Sequence, residues 1–308
     1  MKNIAFLFPG QGSQSVGMMS GFGDLNIIRD TFAEASDILG VDFWVMANEP
    51  NEAINETANT QPIMLTAGVA TWRAWQATSD VMPTILAGHS LGEYTALVAS
   101  GALSFKDALP LVRYRAEVMQ NAVPAGVGGM AAILGLDDEA VRAVCSEAAQ
   151  DEVLEAVNLN SPGQVVIAGN IAAVERGMEL AKAKGAKRAL PLPVSVPSHC
   201  ALMKPAALML AEYLKNVTVN ASQIPVLHNA DVVSYSDSDK VKDALVRQLY
   251  SPVRWVETVQ AIAVSGVNQA AECGPGKVLA GLTKRIVAEL PCVALTGNDA
   301  LLELKNSI

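Results

Sequence analysis

Residues 86–103 read LAGHSLGEYTALVASGAL and set a serine, Ser90, between Gly88 and Gly92. The apolar run Ile85 to Gly88 has the length of a buried strand, and the apolar-periodic run after Ser90 reads as a helix. A strand, a sharp turn carrying G-x-S-x-G and a helix make the pattern of a nucleophile elbow, in which small residues let the backbone pass and the serine is exposed at the end of a sheet. The same serine also suits an ordinary helix N-cap.

The rest of the first 120 residues supports the α/β reading, because strand-like apolar runs alternate with helical patterns. Helices are expected from Asp30 to Leu39, Gln61 to Gln76, Gly92 to Ser100 and Phe105 to Ala122, over a parallel sheet that starts with Met1 to Phe8. Pro124-Ala125-Gly126-Val127-Gly128-Gly129 then breaks the pattern. The following segment reads strand (Met130 to Leu136), helix (Asp137 to Ala149), strand (Val153 to Asn158), strand (Gln164 to Ala168), helix (Ile171 to Lys184) and strand (Arg188 to Pro193). Asp137 and Asp138 can cap the first of these helices, Asn160-Ser161-Pro162-Gly163 can join two strands, and Gly185 can end the second helix. This β-α-β-β-α-β order is the ferredoxin-like motif. The expected organisation is a large α/β-hydrolase-like domain (1–124 and 195–308) with an inserted small ferredoxin-like domain (125–194), the chain returning near Pro197.

With 308 residues, 51% of them hydrophobic, the chain has material for a sizeable core. No run approaches the roughly 20 apolar residues that cross a bilayer, and the N-terminal run meets Pro9-Gly10 too early for a signal peptide. A cytoplasmic protein with no membrane segment is expected. A formal charge of -9 argues against a nucleic-acid partner, although Lys182, Lys184, Lys187 and Arg188, and again Lys277, Lys284 and Arg285, are local basic clusters. The four cysteines lack C-x-x-C spacing and there are three histidines in all, so neither a metal centre nor a redox cofactor is indicated.

A serine nucleophile needs a base. His89 adjoins Ser90 on a sharp turn and should point elsewhere, and His228, in IPVLHNA, fits a structural role. His199, in PVSVPSHCALM, lies on a loop and is the candidate base, with a structural histidine as the alternative. Cys200 beside it raises the further alternative of a cysteine nucleophile. The loop FPGQGSQ lacks the third glycine of G-x-G-x-x-G, and no acidic residue follows at dinucleotide-binding spacing. Backbone N–H groups and the Gln11 amide could instead line a pocket for a developing oxyanion.

FPGQGSQ, GHSLGEY, NSPGQVVIAG, LPVSVPSHCALMKPA, LVRQLYSPVRW and GPGKVL, in this order and spacing, resemble the malonyl-CoA:acyl-carrier-protein transacylase family of fatty acid synthesis, in its stand-alone bacterial form. The resemblance covers the chain until about residue 290. It implies that Ser90 is acylated, that His199 is its base, and that the N–H groups of Gln11 and Leu91 form the oxyanion hole. It further implies that Arg115, in LVRYRAEVMQ, binds the malonyl carboxylate, and that Gln248 orients His199 through a carbonyl oxygen. Malonyl-CoA would be the substrate and phosphopantetheinylated acyl carrier protein the acceptor, in a ping-pong reaction with no cofactor, and a monomer is expected.

The chemistry of Arg115 fits independently, because a buried guanidinium makes two charge-assisted bonds to a carboxylate. Arg113 lies roughly 200° away around the same helix, so both cannot enter one pocket. Two other readings remain: a hydrolase of the same chemistry, for which Arg115 would serve no purpose, and a non-catalytic scaffold for carrier proteins, which would not need Ser90 and His199.

Overall fold

The structure, a computed structural model, describes residues 3–194 and 196–308. Met1 and Lys2, expected in the first strand, and Ser195, the expected first residue of the returning large domain, lie outside the described residues.

The chain opens with β1 (Ile4–Phe8), α1 (Asn26–Leu39), α2 (Phe43–Asn48), α3 (Thr57–Thr78), β2 (Ile85–Gly88), α4 (Gly92–Ala99) and α5 (Phe105–Gln120). It continues through β3 (Gly128–Leu134), α6 (Asp138–Ala149), β4 (Leu154–Ser161), β5 (Gln164–Asn170), α7 (Ile171–Ala183) and β6 (Arg188–Pro191). It closes with α8 (Lys204–Leu214), β7 (Val226–Leu227), α9 (Ser238–Gln248), α10 (Trp255–Val264), β8 (Gln269–Glu272), α11 (Val278–Ile286), β9 (Cys292–Ala294) and α12 (Asn298–Ser307).

Among the described residues the strands form two sheets. The larger is parallel throughout, in the order β7-β2-β1-β8-β9. Its centre is β1, whose five residues are all apolar and buried. Ile4, Phe6 and Phe8 enter one core, where the Phe6 ring meets Trp72 and Trp75 edge-on at 5.5 and 5.4 Å. Ala5 and Leu7 enter the core on the opposite face, with Trp255 and Val259. A strand covered on both faces requires such an unbroken apolar run. Open sheets of this kind bind ligands beyond the carboxyl ends of their strands. Here Phe8 and Gly88 pair in register, so the loops leaving β1 and β2 emerge side by side.

The second sheet is antiparallel, in the order β4-β5-β3-β6, and Ile133 and Ile167 pack with Val144 of α6 and Val174 of α7 in a separate core. The β-α-β-β-α-β order read from the sequence is present, with shifted ends. Gly135 takes φ 96°, so β3 stops at Leu134. Asn160 and Ser161 belong to β4, which leaves Pro162 and Gly163, the latter at φ 73°, as the turn. β6 ends at Pro191, ahead of Pro193, which has no N–H to extend the ladder.

Corrections in the first half follow similar causes. α1 begins at Asn26, one turn before Asp30, and α3 begins at Thr57, one turn before Gln61. Pro62 lies inside α3, and the turn before it is anchored by the Thr60 hydroxyl, which donates to Ile54 O at 2.7 Å. The second sheet is tied to the segment before α10, where the N–H of Leu159 donates to Val253 O at 3.1 Å and that of Val253 to Val157 O at 2.8 Å. No helix among the described residues is long and apolar enough to cross a membrane.

Candidate active site

The elbow after β2 is built by close backbone approach. A Cβ on Gly88 would fall 1.9 Å from the Gly92 carbonyl, and one on Gly92 would fall 2.0 Å from Phe8 O, so both positions need glycine. Ser90 has φ 51°, in the left-handed region that a serine adopts only under constraint. Asn229 supplies the constraint: its Oδ1 accepts from the Ser90 N–H at 2.7 Å and its Nδ2 donates to Gly88 O at 2.6 Å. The N-cap alternative does not hold, since α4 has no side-chain cap and the Ser90 hydroxyl lines a cavity.

His199 stands opposite, on the loop before α8, buried and at φ 66°. Its Nδ1 lies 2.7 Å from Gln248 O. A carbonyl only accepts, so Nδ1 carries the proton and Nε2 is free to accept from the Ser90 hydroxyl, 2.8 Å away. Burial, reinforced by the positive charge of Arg115, pushes the imidazole down to about 3, so it is neutral at neutral pH and Nε2 keeps its lone pair.

Arg115 reaches the same pocket from α5 and is 1% exposed. Nη1 donates to Gln61 Oε1 at 2.8 Å, and Nη2 donates to Gln248 Oε1 at 2.9 Å and to Ser90 Oγ at 3.3 Å. Its guanidinium lies 5.3 Å from the centre of the Tyr94 ring. Burial lowers its pKa while Tyr94 and Glu93 hold it up, and a guanidinium stays charged in proteins. These three acceptors are all neutral, and Nε has no partner among the described residues. A buried cation with neutral partners has capacity left for an anion. Arg113 points away, donating to Leu39 O at 3.1 Å.

Gln248 closes α9 and is used twice. Its backbone oxygen holds His199, while its side chain bridges Arg115, Ser90 O and Glu93, the last two each at 2.9 Å from Nε2. Glu93, fully buried on α4, also accepts from the Asn229 N–H at 2.9 Å and pairs with His228 Nδ1 at 2.7 Å. His89 turns away from Ser90, with Nε2 2.8 Å from Asn160 Oδ1 of the second sheet.

The cavity between the sheets is about 140 Å³ and is lined by Ser90, His199, Arg115, Gln11 and Leu91, with Met130, Leu192 and Val194 supplying apolar wall. The loop of Gln11 is pressed against the elbow, since a Cβ on Gly10 would lie 2.4 Å from His89 O. Cys200 is not among the lining residues; its Sγ donates to Pro197 O at 3.1 Å and burial pushes its thiol up to about 12. The structure therefore brings together Ser90, His199, Arg115, Gln248, Gln11 and Leu91 and leaves Cys200 and Arg113 outside. Sequence reasoning missed Gln61, Glu93, Asn160 and Asn229. Glu93 was the most accessible of these, as an acidic residue inside the otherwise apolar-periodic run after the elbow.

Of the basic clusters, Lys182 is paired with Glu179 and Lys184 with Glu147. Lys277, Lys284 and Arg285 are exposed on and beside α11, where a Cβ on Gly276 would lie 3.4 Å from Ser13 Cβ in the Gln11 loop. Among the described residues no group of three or more His, Cys, Asp or Glu is placed to hold a metal ion.

Residues 5–294 match the model of the acyl transferase domain family. The chain is 55% identical over 303 residues to the malonyl CoA-acyl carrier protein transacylase of Salmonella typhimurium, covering 98% of each. Its fold matches the acyl-carrier-protein S-malonyltransferase of Burkholderia pseudomallei with a TM-score of 0.97 and 59% identity, covering 99% of both chains. It also matches a malonyl-transacylase solved in complex with a holo type II PKS acyl-carrier protein, with a TM-score of 0.98 and 50% identity, covering 99% of this chain and 100% of that one.

Proposed function

The chain belongs to the acyl transferase domain family, among the malonyl CoA-acyl carrier protein transacylases, and on that footing we propose that it moves a malonyl group from malonyl-CoA to the phosphopantetheine thiol of an acyl carrier protein. The observation that carries this reading is the meeting of Ser90 Oγ with both His199 Nε2, at 2.8 Å, and Arg115 Nη2, at 3.3 Å. One hydroxyl faces both a neutral base and a buried cation.

In the first half-reaction Arg115 binds the malonyl carboxylate, turning within reach of Gln61 and Gln248, and the thioester carbonyl carbon lies over Ser90. Ser90 Oγ attacks while His199 Nε2 takes its proton. The backbone N–H groups of Gln11 and Leu91 hold the oxyanion. The carbon–sulfur bond breaks, His199 returns the proton to the CoA sulfur, and malonyl-serine remains. In the second half the carrier-protein thiol gives its proton to His199 and attacks the ester, and Ser90 leaves with that proton. Gln248 O keeps Nδ1 protonated throughout, as an aspartate does in many serine enzymes. The proton passes between Ser90, His199 and sulfur alone, so the reading includes no metal or redox cofactor.

The reading extends to the molecule around the site. Residues 1–124 and 195–308 serve as an α/β-hydrolase-like domain and 125–194 as a ferredoxin-like domain, with the cleft between them sheltering the ester from water. All the proposed catalytic residues come from one chain, which fits a monomer, and the enzyme is placed in the cytoplasm. The carrier protein belongs to fatty acid synthesis, with polyketide synthesis as the related alternative. It docks on Lys277, Lys284 and Arg285, which are exposed, form no ion pair among the described residues and lie beside the Gln11 loop. Initial rates with both substrates varied test the mechanism: parallel double-reciprocal lines, with malonyl exchange between CoA molecules in the absence of carrier protein, are expected. Intersecting lines and no exchange would exclude the acyl-enzyme.

A further inference from the structure

We infer that Glu93 is a positioning residue for acyl-group selection, acting on Arg115 through the side-chain amide of Gln248. This rests on the reading of Arg115 as the carboxylate binder.

The Glu93 side chain is fully buried, does not line the cavity, and bonds to His228, Asn229 and Gln248 and not to Ser90 or His199. Each of its oxygens is used. Oε2 accepts from Gln248 Nε2 and from the Asn229 N–H, both at 2.9 Å, and Oε1 lies 2.7 Å from His228 Nδ1. A buried carboxyl held by three partners from two other elements is a fixed reference point.

Its effect depends on the asymmetry of an amide, which donates from one end and accepts at the other. Gln248 directs Nε2 to Glu93 and Ser90 O, and that leaves Oε1 directed at Arg115 Nη2. Turned the other way, the amide would set NH₂ against guanidinium N–H and oxygen against the Glu93 carboxyl. Glu93, with Ser90 O as the second acceptor, thus keeps Gln248 presenting an oxygen to Arg115. The aim of the guanidinium at the acyl pocket follows from that oxygen and from Gln61. A second branch runs through Asn229, whose side chain holds the Ser90 N–H at 2.7 Å. That branch affects every acyl donor alike, as does the Gln248 bond to Ser90 O, whereas the Gln248 oxygen on Arg115 adds an effect specific to donors with a carboxylate.

The two branches separate in one experiment. Ser90 acylation rates with malonyl-CoA and acetyl-CoA are measured for the wild type, Glu93→Met and Glu93→Gln, with folding checked by circular dichroism and thermal melting. Methionine fills similar space without an acceptor, and the malonyl-to-acetyl ratio should fall on the order of tenfold or more. Glutamine can keep an oxygen toward Gln248, with His228 changing tautomer to meet the new NH₂, and its ratio should stay within about threefold of the wild type. If Glu93→Met does not fold, Glu93→Asp, which withdraws the carboxyl by one methylene, should show the same malonyl-specific loss. Equal losses for both donors would mean that Glu93 only supports the fold and would overturn the inference. So would a ratio lost equally in the methionine and glutamine variants. A wild type indifferent to the two donors would instead overturn the reading of Arg115, and the inference with it.

Discussion

Arg115 Nη2 lies 3.3 Å from Ser90 Oγ, so a buried guanidinium and a base-paired hydroxyl share one cavity. This contact makes the site selective in the account above, because the cation serves a substrate carboxylate and is not needed by the Ser90–His199 pair.

Replacing Arg115 by alanine should therefore discriminate between donors. A charge-assisted bidentate contact is worth enough that kcat/KM for malonyl-CoA should fall by about a hundredfold or more, with a much smaller change for acetyl-CoA. Steady-state kinetics with both donors provide the check. Parallel losses would show that Arg115 supports the pocket without reading the acyl group.

The depressed His199 fixes the sign of two pH effects. In the proposed mechanism the neutral imidazole is the working form, so kcat/KM for acetyl-CoA should show no acid limb near 6.5 and decline only at much lower pH, toward about 3. In Arg115→Ala one of the two main lowering influences is gone, and the limb should move upward. In stability, the unfolded chain takes up a proton near 6.5 while the folded one does not. The contribution is fully present above that pH and is lost as pH falls toward about 3. Between pH 7 and pH 5 the wild type should lose about 2 kcal/mol more than His199→Gln by urea unfolding. A wild-type limb at 6.5, or identical losses in the two proteins, would contradict a buried neutral His199.

The close contact between Gly10 and His89 O offers a test of the oxyanion donors. Gly10→Ala must push the Gln11 loop away from Leu91, and kcat should drop by roughly a hundredfold with little change in KM. A rise in KM alone would assign this loop to substrate binding.

How much of this was legible beforehand differs from element to element. Ser90 and its two glycines carry a local signature, because the elbow is a backbone constraint written into adjacent residues. The ferredoxin-type order was legible for the same reason, since periodicity and turns are local properties. Strand ends moved by two or three residues where Gly135 and the Pro162–Gly163 turn set them by geometry. His199 and Arg115 could be nominated by chemistry, but the register of Arg115 over Arg113 came from resemblance. Glu93, Asn229 and Gln61 act through contacts 54 to 155 positions away in sequence, and no periodicity records such partners. Gln248 is intermediate: its carbonyl was expected, and its side-chain bridge to Arg115 was not.

Charge reversal tests the docking surface. Lys284→Glu with Arg285→Glu should raise KM for the carrier protein by about tenfold and leave transfer to a small thiol unchanged. The pair Lys187→Glu and Arg188→Glu should leave both unchanged. The opposite pattern would move the docking surface to the outer strand β6.

The most direct measurement is intact-protein mass after brief exposure to malonyl-CoA, with Ser90→Ala in parallel and holo carrier protein added afterwards. The account predicts one malonyl adduct on the wild type, none on Ser90→Ala, and loss of the adduct only when carrier protein arrives. An adduct that forms without Ser90, or one that decays into water as fast as it forms, would contradict transfer through Ser90.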